Sequence, residues 1–260
     1  MTMKNNKKHM KKITYILPIL LSLYSCKNDT SPKKEESTTT PEKKALEDIV
    51  EQHIEADLQI SPSENYKFKI YKAHLDSDDK LDAIITVNRL EFAVKKASKM
   101  KNPSIQKEAN YTGHYNYIFF YDGGLDKISP SVLVPSSPMA ELKVEFQNVT
   151  SAVYKDILID YYLTTTCFRD YFTIRNHSLN LVFQWERFNV LDKTKPLVHY
   201  FGHDEGSVGL AKDILIYEGE ITNLSEMKSI YTFKPNVVKN GKLLHRFFYF
   251  ENEGKYFTKK

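Results

Sequence analysis

The chain has 260 residues, and 37 Lys and Arg against 33 Asp and Glu give it a formal charge of +4. Five of those basic residues (Lys4, Lys7, Lys8, Lys11 and Lys12) crowd the first twelve positions with no acid among them, so from residue 26 onward the balance is 32 against 33. The basicity of the whole chain therefore gives no reason to expect a nucleic-acid partner, and two cysteines are too few for a disulfide-dense scaffold.

After the basic start, an apolar stretch runs from Ile13 to Tyr24, interrupted by Thr14, Pro18 and Ser22. It is short of the roughly 20 apolar residues that a spanning helix needs. A basic start, a short apolar centre and a small residue before the cut describe a signal peptide over residues 1–25. Leu23-Tyr24-Ser25-Cys26 then resembles the lipobox of bacterial lipoproteins, with Tyr24 bulkier than the residue usual at that place. The resemblance implies cleavage before Cys26 and acylation of it. Several acyl chains would hold the protein stably to a membrane, at the outer membrane or the cell surface. With Cys26 lipidated, Cys167 has no disulfide partner. In the apolar setting Thr166-Cys167-Phe168 it reads as a small buried hydrophobe.

Residues 26–43 are polar, with Pro32 and Pro41, and read as a tether that cannot bury enough surface to fold. Residues 44–260 remain for a single β-rich domain. Thr40-Pro41 is a helix start, and Leu46, Ile49, Val50, His53 and Ile54 recur at helical spacing, which predicts an amphipathic helix over 42–57. Tyr66, Phe68 and Ile70 alternate as in a strand, and Ala83 to Val87 is a continuous apolar run suited to a central strand. Leu90, Ala93, Val94 and Ala97 predict a second short helix over Leu90–Met100. Asn116 to Tyr121, Leu142 to Phe146, and Leu179, Leu181, Phe183 and Trp185 predict further strands. Asp122-Gly123-Gly124 and Asn252-Glu253-Gly254 read as turns. Asn240-Gly241, between Val237-Val238 and Leu243-Leu244, reads as a hairpin. The expected fold is mostly β (α+β by count): an antiparallel β domain preceded by one amphipathic helix, with either a sandwich or a few propeller-like blades open.

Three segments place an Asp directly before an apolar strand: Leu81-Asp82-Ala83-Ile84-Ile85, Lys155-Asp156-Ile157-Leu158-Ile159 and Lys212-Asp213-Ile214-Leu215-Ile216, the last two identical over five residues. Their Asp residues are 74 and 57 positions apart, too uneven for a regular repeat array. A recurring strand opening and a remnant repeat both account for them.

The first of these segments is also the most chemically pointed. His74-Leu75-Asp76-Ser77-Asp78-Asp79-Lys80-Leu81-Asp82 puts carboxylates at alternate positions of a tight loop, the arrangement in which hard cations collect six to eight oxygens. It resembles the Asp-rich loop of FG-GAP and related β-propeller repeats. That resemblance implies Asp76, Asp78 and Asp82 as calcium ligands and Ala83-Ile84-Ile85 as the following strand. Two residues depart from the pattern: His74 stands at the first ligand position and Asp79 replaces the turn glycine. A solvated acidic turn, with Lys80 offsetting part of its charge, is the competing reading. A second candidate, His199, His203 and Asp204, gathers imidazoles and a carboxylate suited to Zn²⁺. Gly202, Gly206 and Gly209 mark that stretch as a loop, without metalloprotease spacing.

No phosphate loop, dinucleotide fingerprint or Gly-x-Ser-x-Gly elbow occurs. The 17 Tyr and 15 Phe suit β-sheet cores before they suit sugar stacking. In style the chain resembles envelope lipoproteins of the Bacteroidota type. The expected function is a membrane-anchored binding or structural module with a protein or glycan ligand and a calcium loop. The alternative is a metal-dependent hydrolase using His199, His203 and Asp204.

Overall fold

Every residue of Asp82–Asn88 is buried, as the apolar run Ala83–Val87 requires of a strand covered on both faces. The computed structural model describes residues 46–258, within a compact unit spanning 44–260. The predicted signal peptide, Cys26, the tether and the first residues of the predicted helix lie outside the described residues. Helix α1 (Leu46–Asp57) carries Glu47 and Asp48 in its first turn, where acids complement the helix dipole. Strand β1 (Lys67–Ala73) pairs antiparallel with β2 (Asp82–Asn88). Helices α2 (Leu90–Ser98) and α3 (Pro103–Glu108) lead to β3 (Gly113–Asp122), beside which both β4 (Lys127–Ile128) and β5 (Val132–Ser136) pair.

The remaining strands form one eight-stranded antiparallel sheet in which spatial order follows chain order: β6 (Lys143–Gln147), β7 (Asp156–Leu163), β8 (Thr166–Arg175), β9 (Ser178–Asn189), β10 (Leu197–Asp204), β11 (Asp213–Ile221), β12 (Val237–Phe250) and β13 (Lys255–Thr258). The protein is thus mostly β, built on two antiparallel sheets, with no propeller among the described residues.

Strand periodicity assigns the faces. On the first sheet, Ile85, Val87 and Phe119 meet Val50 and Ile54 of α1. The alternate residues Ile84, Ile118 and Phe120 meet Ile157, Ile159, Phe172 and Ile174 of the second sheet. Val50 and Ile54 are both 1% exposed, and each contributes about 1.5–3 kcal/mol by leaving water. The second sheet also buries its other face against itself. Leu158, Tyr171 and Phe183 from its first half join Ile214, Ile216, Phe247 and Tyr256 from its second, so the sheet curls over its own core. On this inner face Asp160, 2% exposed, accepts two hydrogen bonds from Arg169 (2.6 and 2.9 Å) and one from Arg187. An internal charge is tolerable only when paired in this way.

Three sequence expectations are corrected. Asn240-Gly241 is not a hairpin turn but lies inside β12, where the register against β11 jumps from Tyr217↔Leu243 to Gly219↔Lys239. Glu218 folds over the glycine there, in space that a side chain at 241 would occupy. The alternation from Leu179 to Trp185 is broken by a register shift opposite Tyr171/Phe172, which turns Val182 and Phe183 into the same core and leaves Leu181 exposed. The stretch around His199, read as a loop from its glycines, is strand β10. Gly202 fits it because its missing side chain leaves room for the Tyr217 ring.

Candidate metal centre

Asp82, Asp156 and Asp213 open β2, β7 and β11, and each is at most 1% exposed. All three carboxylates turn back onto the loop before them. Asp82 accepts the Leu75 amide at 2.9 Å, seven residues earlier. Asp156 accepts the Val149 amide at 3.0 Å, also seven residues earlier, together with the amide and hydroxyl of Thr150 (2.6 and 2.7 Å). Asp213 accepts the Ser207 amide at 3.2 Å, six residues earlier, and the Ser207 hydroxyl. The loops hang side by side: the Lys155 amide donates to His74 O at 3.0 Å, and the Lys212 amide to Val149 O at 2.8 Å. The recurrence seen in the sequence is one loop used three times. The spacings are uneven because different numbers of strands and helices intervene.

The three copies neutralise their buried carboxylate differently. In the third, Arg246 reaches Asp213 at 3.1 Å and Asp204 at 2.7 Å. In the second, burial raises the pKa of Asp156 against the opposing pull of Thr150. In the first, burial raises Asp82 and the charges of Asp76 and Asp78 add to that shift, while the Gly123 and Leu75 amides oppose it. Position for position, Asp76 stands where the other loops have Thr150 and Ser207, and Asp78 where they have Ala152 and Gly209. The first loop has thus gained two acids and has no guanidinium. Lys80 pairs with the exposed Asp79 instead (3.4 Å).

Its geometry leaves oxygens free. Asp76 Oδ1 accepts the Asp78 amide at 2.9 Å and Asp78 Oδ1 accepts the Lys80 amide at 2.7 Å, so among the described residues the second oxygen of each accepts no hydrogen bond. His74 donates from Nδ1 to Lys80 O at 2.8 Å and closes the base of the loop. Ligand atoms of Asp76, Asp78 and Asp82 lie within 4.8 Å of one another. A second triad, Asp76, Asp122 and His177, meets the same condition, and its two further members were missed by the sequence reading. Asp122 ends β3, where Oδ1 accepts the Leu125 amide of the following turn at 2.8 Å and Oδ2 pairs with His177 Nδ1 at 2.7 Å. His177 sits with Asn176 in the two-residue turn between β8 and β9, both at positive φ. Such a turn suits a twisted hairpin, and Asn176 between two strand-like runs was its available signal. A cavity of about 300 Å³ opens over these groups, lined by Asp76, Ser77, Asp78, Tyr154, Asn176 and His177.

An all-oxygen triad fits Ca²⁺ or Mg²⁺. The set containing His177 admits borderline metals as well. Gly124 contributes by absence: a methyl group there would come within 2.1 Å of Asp78 Oδ2.

The structure does not bring His199, His203 and Asp204 together. Four residues of β10 separate the Cα atoms of His199 and His203 by about 13 Å at strand rise, and Asp204 faces away from them to Arg246. His199 Nδ1 donates to Glu186 O at 2.7 Å, and His203 contacts the Tyr171 hydroxyl at 3.3 Å. Burial depresses the His203 pKa to about 4, with Lys212 and Arg169 adding to the shift. Cys167 is buried, and burial pushes its thiol up to about 12. No family model, curated protein or solved structure matches the chain.

Proposed function

We propose that the chain is a membrane-anchored envelope lipoprotein, acylated at Cys26, that acts as a binding module for a protein or glycan. In this reading the loop Asp76–Asp82 holds a structural Ca²⁺. The observation that carries the metal site is the contrast within one chain: where the third loop meets its buried Asp213 with Arg246, the first meets Asp82 with two further carboxylates. A divalent cation supplies the missing positive charge, and ties the β1–β2 loop to Asp122 at the end of β3. A bound Ca²⁺ would rigidify this edge of the molecule and present it to a ligand in one conformation.

Thermal unfolding of the full chain after chelation, with Ca²⁺, Mg²⁺ and Zn²⁺ restored separately, tests the site. Ca²⁺ at a hundred times its dissociation constant adds about 2.7 kcal/mol, and Asp78→Ala abolishes that gain. A response to Zn²⁺ alone would reassign the site to the triad containing His177, and silence to all three metals would reduce the loop to an acidic turn. The anchor is tested separately by palmitate incorporation, which Cys26→Ser must remove.

A further inference from the structure

The first sheet ends at β1 and the second at β6. Where these two edges approach, the chain leaves a groove of about 600 Å³, within the range of small-ligand sites. Lys67, Lys69 and Tyr71 of β1 line it, with Lys143 of β6 and Tyr231 and Lys234 from the segment before β12. Alternation puts Lys67, Lys69 and Tyr71 on the β1 face that Ala73 presents to the second sheet. The groove is therefore the uncovered corner of that interface.

Its charge is one-sided in a chain that is otherwise balanced. Glu141 is the single acid lining it and is engaged by Lys69. Among the described residues Lys67, Lys143 and Lys234 have no carboxylate partner. Lys143 Nζ instead rests against Tyr162, 3.4 Å from the hydroxyl oxygen and 5.7 Å from the ring centroid. Lysines that line one groove without counter-ions gain no attraction from one another, whereas an anionic ligand would give each a partner. Tyr71 adds a flat face and a hydroxyl beside the charges, while Tyr231 forms a wall of the groove, its hydroxyl donating to Thr164 O at 3.2 Å and its ring edge-on to Tyr162.

We infer that this groove binds a linear glycan bearing carboxylates. The inference rests on the binding-module reading and names its ligand class. A concave corner admits a single chain of sugar rings, with the ammonium groups meeting carboxylates and Tyr71 meeting a ring face. A bilayer or a nucleic-acid duplex is too broad to enter it.

The test is titration calorimetry of the full chain in neutral detergent micelles against an oligogalacturonate and against a neutral glucan oligomer of the same length. A third arm challenges the oligogalacturonate complex with micelles containing phosphatidylglycerol. The expected result is binding of the oligogalacturonate alone, weakening as salt is raised. The double variant Lys67→Ala/Lys234→Ala should lose about fivefold to tenfold in affinity, the size expected of two exposed charge contacts, and Lys127→Ala on β4 should lose nothing. Unaltered unfolding midpoints in these exposed-residue variants separate lost binding from lost folding. Equal binding of the neutral glucan, full affinity in the double variant, or displacement of the glycan by phosphatidylglycerol micelles would overturn the inference. A chain that passes the Ca²⁺ and palmitate tests and ignores oligogalacturonate refutes this inference while leaving the proposed function standing.

Discussion

Replacing His203 by Gln should change how stability responds to acid far more than it changes stability at neutral pH. His203 lies on the inner face of the curled sheet, against the Tyr171 hydroxyl and ring, and Gln can keep a hydrogen bond there. Burial, with Lys212 and Arg169 adding to it, lowers the imidazole pKa to about 4 from its ordinary value near 6.5. Between those values the unfolded chain binds a proton that the folded chain does not, so stability is intact above pH 6.5 and falls as pH drops toward 4. Holding the imidazole neutral down to about pH 4 in place of 6.5 corresponds to about 3 kcal/mol. Asp170 has the opposite sign: burial raises it to about 6, so its contribution is present at acid pH and lost as pH rises. The wild-type slope alone therefore mixes the two, and the difference between wild type and His203→Gln isolates the imidazole. Urea unfolding of both proteins from pH 4 to 7.5 should show the variant's relative stability rising by about 3 kcal/mol toward pH 4. A difference that stays constant across the range would refute the burial argument.

Gly124→Ala should push the Asp78 carboxylate out of the first loop, since the added methyl would meet Oδ2 at 2.1 Å. Loss of the Ca²⁺-dependent rise in unfolding temperature checks this. Arg246→Met should cost about 2–3 kcal/mol by leaving Asp213 buried without a cation. Adding Asp213→Asn should recover part of that in denaturant melts, and failure to recover any would show that Arg246 acts through packing alone. Cys167 should resist a thiol reagent in the native protein and react fully in denaturant, because its thiolate is suppressed by burial. Rapid native labelling would contradict the buried position.

Features that depend on neighbours along the chain are legible in the sequence. The helix at Leu46–Asp57 follows from apolar spacing, the central strands β2 and β3 from continuous apolar runs, and the turn at Gly123-Gly124 from glycine. The three Asp-before-strand segments were visible for the same reason, since each Asp bonds to an amide only six or seven residues behind it. Local rules failed where a partner strand decided the outcome. Asn240-Gly241 has hairpin chemistry, yet pairing with β11 holds it inside a strand as an irregularity. The glycines near His199 suggest a loop, yet β11 zips that stretch into a ladder. The metal-centre candidate divides in the same way. Asp76, Asp78 and Asp82 converge within one loop, while Asp122 and His177 are 55 residues apart and meet only because the two sheets stack. A contact between distant segments is set by how whole faces are buried against each other. That information is spread over every residue of the two faces and is carried by no single motif.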